Sequence, residues 1–189
     1  MDHPDDVELV RASQQGDREA FGVLISRHAR SILSLTTRML GPADAEDVAQ
    51  ETFIAAHKAL PSFKLDSKFS TWLYRIGVNK CTDSLRSRRP ENTSLDVVSD
   101  DGAVALAVAD DETPLRELEQ AELAWELDRG IQRLPQVYRE SFVLRHIEGL
   151  GYEEMSAILG VHRDTLKMRV YKARTLLCQS LAHLDGAYR

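Results

Sequence analysis

The sequence predicts an all-α protein built as two small helical domains joined by a flexible acidic linker. Three observations predict it. Apolar residues recur at helical spacing through both halves, and each periodic stretch is bounded by a capping residue, glycine or proline. No stretch alternates convincingly as a strand, AVALAVA (Ala103 to Ala109) being the one ambiguous run. Between the halves, residues 91–112 carry seven acidic residues and no cation. The expected domains are therefore 1–90 and 115–189, with 91–114 as the linker.

In chain order, Asp17 caps a long helix running to Met39, with Phe21, Leu24, Ile25, His28, Ile32 and Leu35 near helical spacing. Gly41-Pro42 stops it and opens the next, Ala43 to Leu60, which Pro61 closes. Lys68 to Arg89 forms a further helix that ends at Pro90. Beyond the linker, Thr113-Pro114 is a cap followed by a first-turn proline. Helices follow over Leu115–Leu134, Gln136–Ile147, Tyr152–Leu159 and Arg163–Leu181.

Composition narrows the function classes. The chain has 189 residues, 43% apolar and 29% charged, which suits soluble globular domains. Its longest apolar run is far too short for a membrane span, and MDHPDDVELV has no apolar signal core, so a cytoplasmic protein is expected. Cys81 and Cys178 lie far apart in no metal-like spacing, and the six histidines are scattered, so neither a disulfide framework nor a metal site is expected. The net charge of −6 argues weakly against nucleic acid, but its distribution argues the other way. Residues 61–90 hold seven cations against two acids, and residues 160–174 hold five against one.

The second basic stretch belongs to GYEEMSAILGVHRDTLKMRVYKARTLL, Gly151 to Leu177. Met155, Ile158 and Leu159 line a first helix, Gly160 permits a sharp turn, and Val161 plugs the junction. Leu166, Val170, Ala173 and Leu177 then form an i, i+4, i+7, i+11 stripe on a second helix. That is the layout of a helix-turn-helix, whose second helix enters the DNA major groove. Burying the stripe leaves Arg163, Asp164, Lys167, Tyr171 and Arg174 pointing outward, with Arg169 and Lys172 at the flanks as phosphate contacts. A plain helical hairpin would share the layout, but not one-sided cations on an acidic chain.

The C-terminal half, LPQVYRESFVLRHIEGLGYEEMSAILGV…TLKMRVYKAR, resembles region four of the extracytoplasmic-function sigma factors, a two-domain branch of the bacterial sigma family. GDREAFGVLISRH, DAEDVAQETFIAAHKAL and FSTWLYRIGVNKCTDSLRSRR resemble their region two. The likeness covers nearly the whole chain in order. The chain differs from the family pattern at Gly151, at His162-Arg163-Asp164 and at Met168, which bear on the upstream promoter element it reads.

In DAEDVAQETFIAAHKAL, Ala45, Val48, Ala49, Thr52, Ala56 and Ala59 fall on one side, and Asp47, Gln50, Glu51 and Ile54 form a second stripe. By periodicity alone the second stripe is a solvated face. The resemblance implies that it docks on the clamp coiled coil of the largest subunit of core RNA polymerase. The acid pairs Glu46/Asp47 and Glu153/Glu154 do not make a catalytic dyad, because adjacent helix residues point about 100° apart. No Ser/His/Asp set or phosphate-binding glycine loop accompanies them, so no catalysis, cofactor or small-molecule substrate is expected.

On the helix from Lys68 to Arg89, Phe69, Trp72, Leu73 and Ile76 make one apolar band, and Tyr74, Val78, Cys81 and Leu85 another. The polar remainder, Thr71, Arg75, Asn79, Thr82 and Arg86, forms a straight stripe suited to base edges and phosphates. The resemblance implies that this stripe and the loop SFKLDSK (Ser62 to Lys68) open the −10 promoter element and hold a flipped base. Lys64, Asp66, Ser67 and Lys68 are then pocket or phosphate contacts, with Phe63 anchoring the loop. It also implies that the second helix of the helix-turn-helix reads the −35 element, and that the linker threads the polymerase cleft. Such proteins are usually held inactive by an anti-sigma factor, often membrane-anchored. The competing reading is an autonomous helix-turn-helix regulator binding duplex DNA as a dimer, which leaves the aromatic-basic helix and the Asp47–Gln50–Glu51 face unexplained.

Overall fold

A computed structural model describes residues 4–88 and 114–182, the side chains of 114–122 excepted. Residues 91–113 of the expected linker lie outside the described residues, and Pro114 opens a helix. Among the described residues there are eight α-helices: α1 (Asp6–Gln14), α2 (Arg18–Leu40), α3 (Pro42–Ala59), α4 (Phe69–Ser87), α5 (Pro114–Arg133), α6 (Gln136–Phe142), α7 (Tyr152–Leu159) and α8 (Arg163–Leu181). A 3₁₀ turn at Leu60–Ser62 follows α3, and a π turn at Val143–Ile147 extends α6. No strand occurs among the described residues.

Local chemistry explains the boundaries. The Asp17 carboxylate accepts from the backbone N–H of Glu19 and Ala20 at 2.9 and 3.1 Å, satisfying two orphan donors at the start of α2. Gly41, at φ +88°, ends α2 where Pro42 begins α3. Gly160 takes the left-handed conformation that turns α7 into α8. His162 caps α8 with its ring, accepting from the Asp164 N–H at 3.4 Å. Helix α1 is an element that periodicity did not mark. A capping box forms it, with Asp5 accepting from the Glu8 N–H and Glu8 accepting from the Asp5 N–H.

The first half packs α1 to α4 around Leu24, Ile32, Leu35, Met39 and Leu73, all essentially sealed from solvent. The second packs α5 to α8 around Ile131, Leu144, Met155 and Leu166. At Gly130 α5 approaches α8 so closely that a Cβ would meet Leu177 Cδ1 at 2.7 Å.

The two halves lie against each other, which the pattern of apolar residues does not announce. Glu148, after the π turn, accepts from Tyr74 Oη at 2.5 Å and from Ser34 Oγ at 2.8 Å. Burial first, then the Glu148 carboxylate, push the Tyr74 phenol well up, so it remains a donor. Arg139 of α6 donates to the Met39 carbonyl at 2.6 Å and to the Leu134 carbonyl at 3.1 Å, and also to the Gln132 carbonyl. Its burial lowers the guanidinium to about 10. Gln136 donates to Thr82, Lys68 pairs with Glu154 at 2.8 Å, and Arg38 with Asp128 at 3.3 Å. Among the described residues no helix is long and apolar enough to cross a membrane.

Candidate nucleic-acid and protein interfaces

Helix α3 separates its faces as the spacing predicts. Ala45, Val48, Ala49, Thr52 and Ala56 are buried and Ala59 is half-buried. Asp47, Gln50, Glu51 and Ile54 are exposed, Ile54 with 55% of its surface in solvent. An exposed isoleucine beside two carboxylates and an amide offers a basic partner both charge and apolar area. Glu51 is also drawn toward α4 by Lys80, at 3.2 Å.

Helix α4 is held by its aromatic end. Phe63 is buried and stacks on Trp72 with ring centroids 4.7 Å apart, while Phe69 packs edge-on to Phe63 at 6.3 Å. The anchoring role expected for Phe63 is what the structure shows. Gln14 of α1, which the sequence reading passed over, donates to the Leu60 and Phe63 carbonyls at 2.9 and 2.8 Å and fixes the loop from behind. Leu65 takes φ +59°, unusual for a branched residue, and Lys64, Asp66, Ser67 and Lys68 all stand outward around it.

The expected polar stripe on α4 is only partly open. Arg75, Asn79 and Arg86 are exposed. Thr71 is not: only 5% of its surface meets solvent. Thr82 is half-buried and receives the Gln136 amide at 3.1 Å. Lys68 is held by Glu154, whose hydrogen bond raises the lysine and lowers the carboxyl, so both stay charged at neutral pH. A cleft between the halves is lined by Thr82, Leu85, Arg86, Gln136, Val137 and Glu140. The second half therefore touches the loop residue just before α4, at Lys68, and the stripe itself at Thr82.

Helix α8 presents the opposite situation. Leu166, Val170, Ala173 and Leu177 are buried as the stripe requires, and α7 contributes buried Met155 and Ile158. Arg163, Asp164, Lys167, Tyr171, Lys172 and Arg174 are exposed. Lys167 holds Asp164 at 3.0 Å, and that hydrogen bond lowers the aspartate, an ionised acceptor at neutral pH. Arg163 pairs with Glu153. Arg169 departs from the expectation. It turns under the helix to Glu140 of α6 at 3.4 Å, with 24% of its side chain exposed, and serves the packing of α8 on α6 rather than a free phosphate-facing position. Burial raises the Glu140 carboxyl and Arg169 opposes that rise. The sequence signal was a glutamate in the α6 pattern; its long-range partner was not readable.

Three comparisons bear on this arrangement. Residues 24–91 match the family model for sigma-70 region 2, and residues 124–177 match that for sigma-70 region 4. The chain is 37% identical over 185 residues to the RNA polymerase sigma-H factor of Pseudomonas aeruginosa, covering 95% of each. It is 36% identical over 177 residues to the ECF RNA polymerase sigma-E factor of Haemophilus influenzae, covering 91% of this chain and 93% of that one. Among solved structures, CnrH in complex with the cytosolic domain of CnrY matches at 32% identity and a TM-score of 0.66, over 96% of this chain and 97% of that one. The sigma factor RpoE of Bartonella quintana, solved with the anti-sigma factor NepR, shares the fold at 21% identity and a TM-score of 0.64, over 86% and 96% of the two chains. The two matched regions, in order along a helical chain that two relatives match over more than nine-tenths of its length, place this protein in the sigma-70 family, among its extracytoplasmic-function RNA polymerase sigma factors.

Proposed function

We propose that this sigma factor directs core RNA polymerase to promoters through three separate faces. Asp47, Gln50, Glu51 and Ile54 of α3 dock on the clamp coiled coil of the largest subunit. Helix α8 enters the major groove of the −35 duplex, with Arg163, Lys167, Lys172 and Arg174 on phosphates or guanine edges and Asp164 accepting from a base amino group. Helix α4 takes the −10 element as single strand: Arg75, Asn79 and Arg86 meet the backbone and base edges, and the loop carrying Lys64, Asp66, Ser67 and Lys68 receives an unstacked base. Unstacking costs roughly a few kcal/mol per base, which the pocket and phosphate contacts offset.

The observation that carries this reading is the presence of two outward polar helices, α4 and α8, on opposite halves of one acidic chain. An autonomous regulator has use for α8 but not for α4. Because α7 holds Lys68 and α6 holds Thr82, the −10 contact requires the halves to part, with the polymerase supplying the free energy through its own contacts. CnrH and RpoE were both solved with bound partners, which supports an anti-sigma factor for this chain, covering the same faces and membrane-anchored in the form common to the family. The place of action is the cytoplasm, with the polymerase.

Reconstituted transcription tests the reading. Purified chain and core polymerase should initiate from templates carrying a cognate −35 and −10 pair, and Asp47→Lys with Glu51→Lys should abolish that initiation. Strong sequence-specific duplex binding by the chain alone, with no initiation in the presence of core, would instead mark an autonomous regulator.

A further inference from the structure

The outermost line of α8 is not its cations. At about 100° per residue, the direction opposite the buried Leu166–Val170–Ala173–Leu177 stripe is held by Asp164, Met168, Tyr171 and Thr175. Arg163, Lys167 and Arg174 flank that line on one side and Lys172 on the other. Met168 and Tyr171 each leave 65% of their surface in solvent, more than any other large apolar side chain among the described residues. Two large apolar groups one turn apart at the crest of a helix have no packing role in the folded chain.

We propose that Met168 is the base-specificity residue of α8 and reads the 5-methyl group of a thymine in the upstream duplex, with Tyr171 packing against the neighbouring step. This rests on the assignment of α8 to the major groove. The occupant is chosen by the flanks. Cations on both sides of an apolar crest match a groove, whose walls are phosphate and whose floor carries bases. Of the four bases only thymine offers an apolar group there, and the unbranched thioether of methionine adapts to it. Asp164, one turn before, faces the same floor as a fixed acceptor and disfavours a phosphate or a base acceptor at its own position. The crest thus combines one polar and one apolar discriminator, while the flanking cations meet phosphates or guanine edges.

The test uses holoenzyme reconstituted from the full chain and core polymerase, with templates randomised across the upstream element and selected by initiation. Wild type should select thymine at one or two positions where Met168→Gln shows no preference, with preferences elsewhere retained. Replacing that thymine by deoxyuridine removes only the methyl group. It should lower wild-type initiation roughly three- to fourfold, the worth of one buried carbon, and leave Met168→Ala unchanged. Substitution at so exposed a position leaves the fold intact, which a matching thermal unfolding curve verifies. Identical selection by wild type and Met168→Gln, or equal sensitivity of both to deoxyuridine, overturns the proposal while leaving α8 in the groove. Initiation with no upstream preference in either protein overturns the major-groove assignment itself. Unchanged selection with weakened binding of a co-purified protein partner reassigns Met168 to that partner.

Discussion

Helices α4 and α8 carry the same kinds of side chain and stand in opposite conditions. On α8 the buried stripe faces its own half, and the outward residues Arg163, Asp164, Lys167, Tyr171, Lys172 and Arg174 are exposed, while Arg169 is held by Glu140. On α4 the stripe begins with buried Thr71, continues through exposed Arg75 and Asn79, is held at Thr82 by Gln136 and ends with exposed Arg86. A duplex can reach the first face as the molecule stands. The second is covered in part, at Thr71 and Thr82. Surface chemistry alone therefore does not make a binding face; what the neighbouring half covers decides when it acts.

The difference can be broken most strongly at Arg169. Arg169→Ala leaves the Glu140 carboxylate buried without its counter-charge and should cost about 2 kcal/mol of stability, read by urea unfolding. Arg174→Ala should leave stability unchanged and weaken duplex binding, with a shallower salt dependence. The pH sign for Arg169→Ala follows from Glu140. Burial raises its folded value, so the ionised form costs stability, and losing Arg169 raises it further. The deficit of the variant is therefore largest at neutral pH and shrinks as pH falls through the raised value.

A smaller effect sharpens the contrast at the contact between the halves. Glu148→Ala removes the acceptor for both Tyr74 and Ser34 and should weaken that contact by about 1–2 kcal/mol. Hydrogen exchange should then speed up in α6 and at the end of α4 while α2 stays protected. The smallest effect is at Lys68–Glu154, an exposed pair. Glu154 is held below the ordinary glutamate value of 4.5, so its contribution to closure is fully present above that value and lost as pH falls through the depressed one. Lys68→Ala should remove this acid sensitivity of inter-half fluorescence transfer and change little at neutral pH.

Much of this was legible in the chain. Helices α7 and α8 begin and end where their caps and periodicity place them, because Gly160 and the Leu166–Leu177 stripe are local signals. The two faces of α3 sort as the spacing demands. Helix α1 escaped notice because only Leu9 and Val10 of its nine residues are buried, although Asp5 and Glu8 spelled out its capping box. Thr71 shows the limit of a helical wheel: five residues share a line, yet tertiary packing covers the first. Glu148, Arg139 and Gln136 were illegible for a different reason. Their partners Ser34, Tyr74, Met39 and Thr82 lie far away in sequence, and a polar residue in a helix pattern carries no sign of a distant acceptor.

The most direct test is to hold the halves together. Lys68→Cys and Glu154→Cys in a Cys178→Ser background place two thiols across the contact, and the remaining native thiol, Cys81, is buried and pushed up to about 12 by that burial. A short reducible cross-linker then closes the chain. The bridged protein, mixed with core polymerase, should fail to open the −10 element, and reduction should restore initiation. Promoter opening by the bridged protein at the uncrosslinked rate would contradict that expectation.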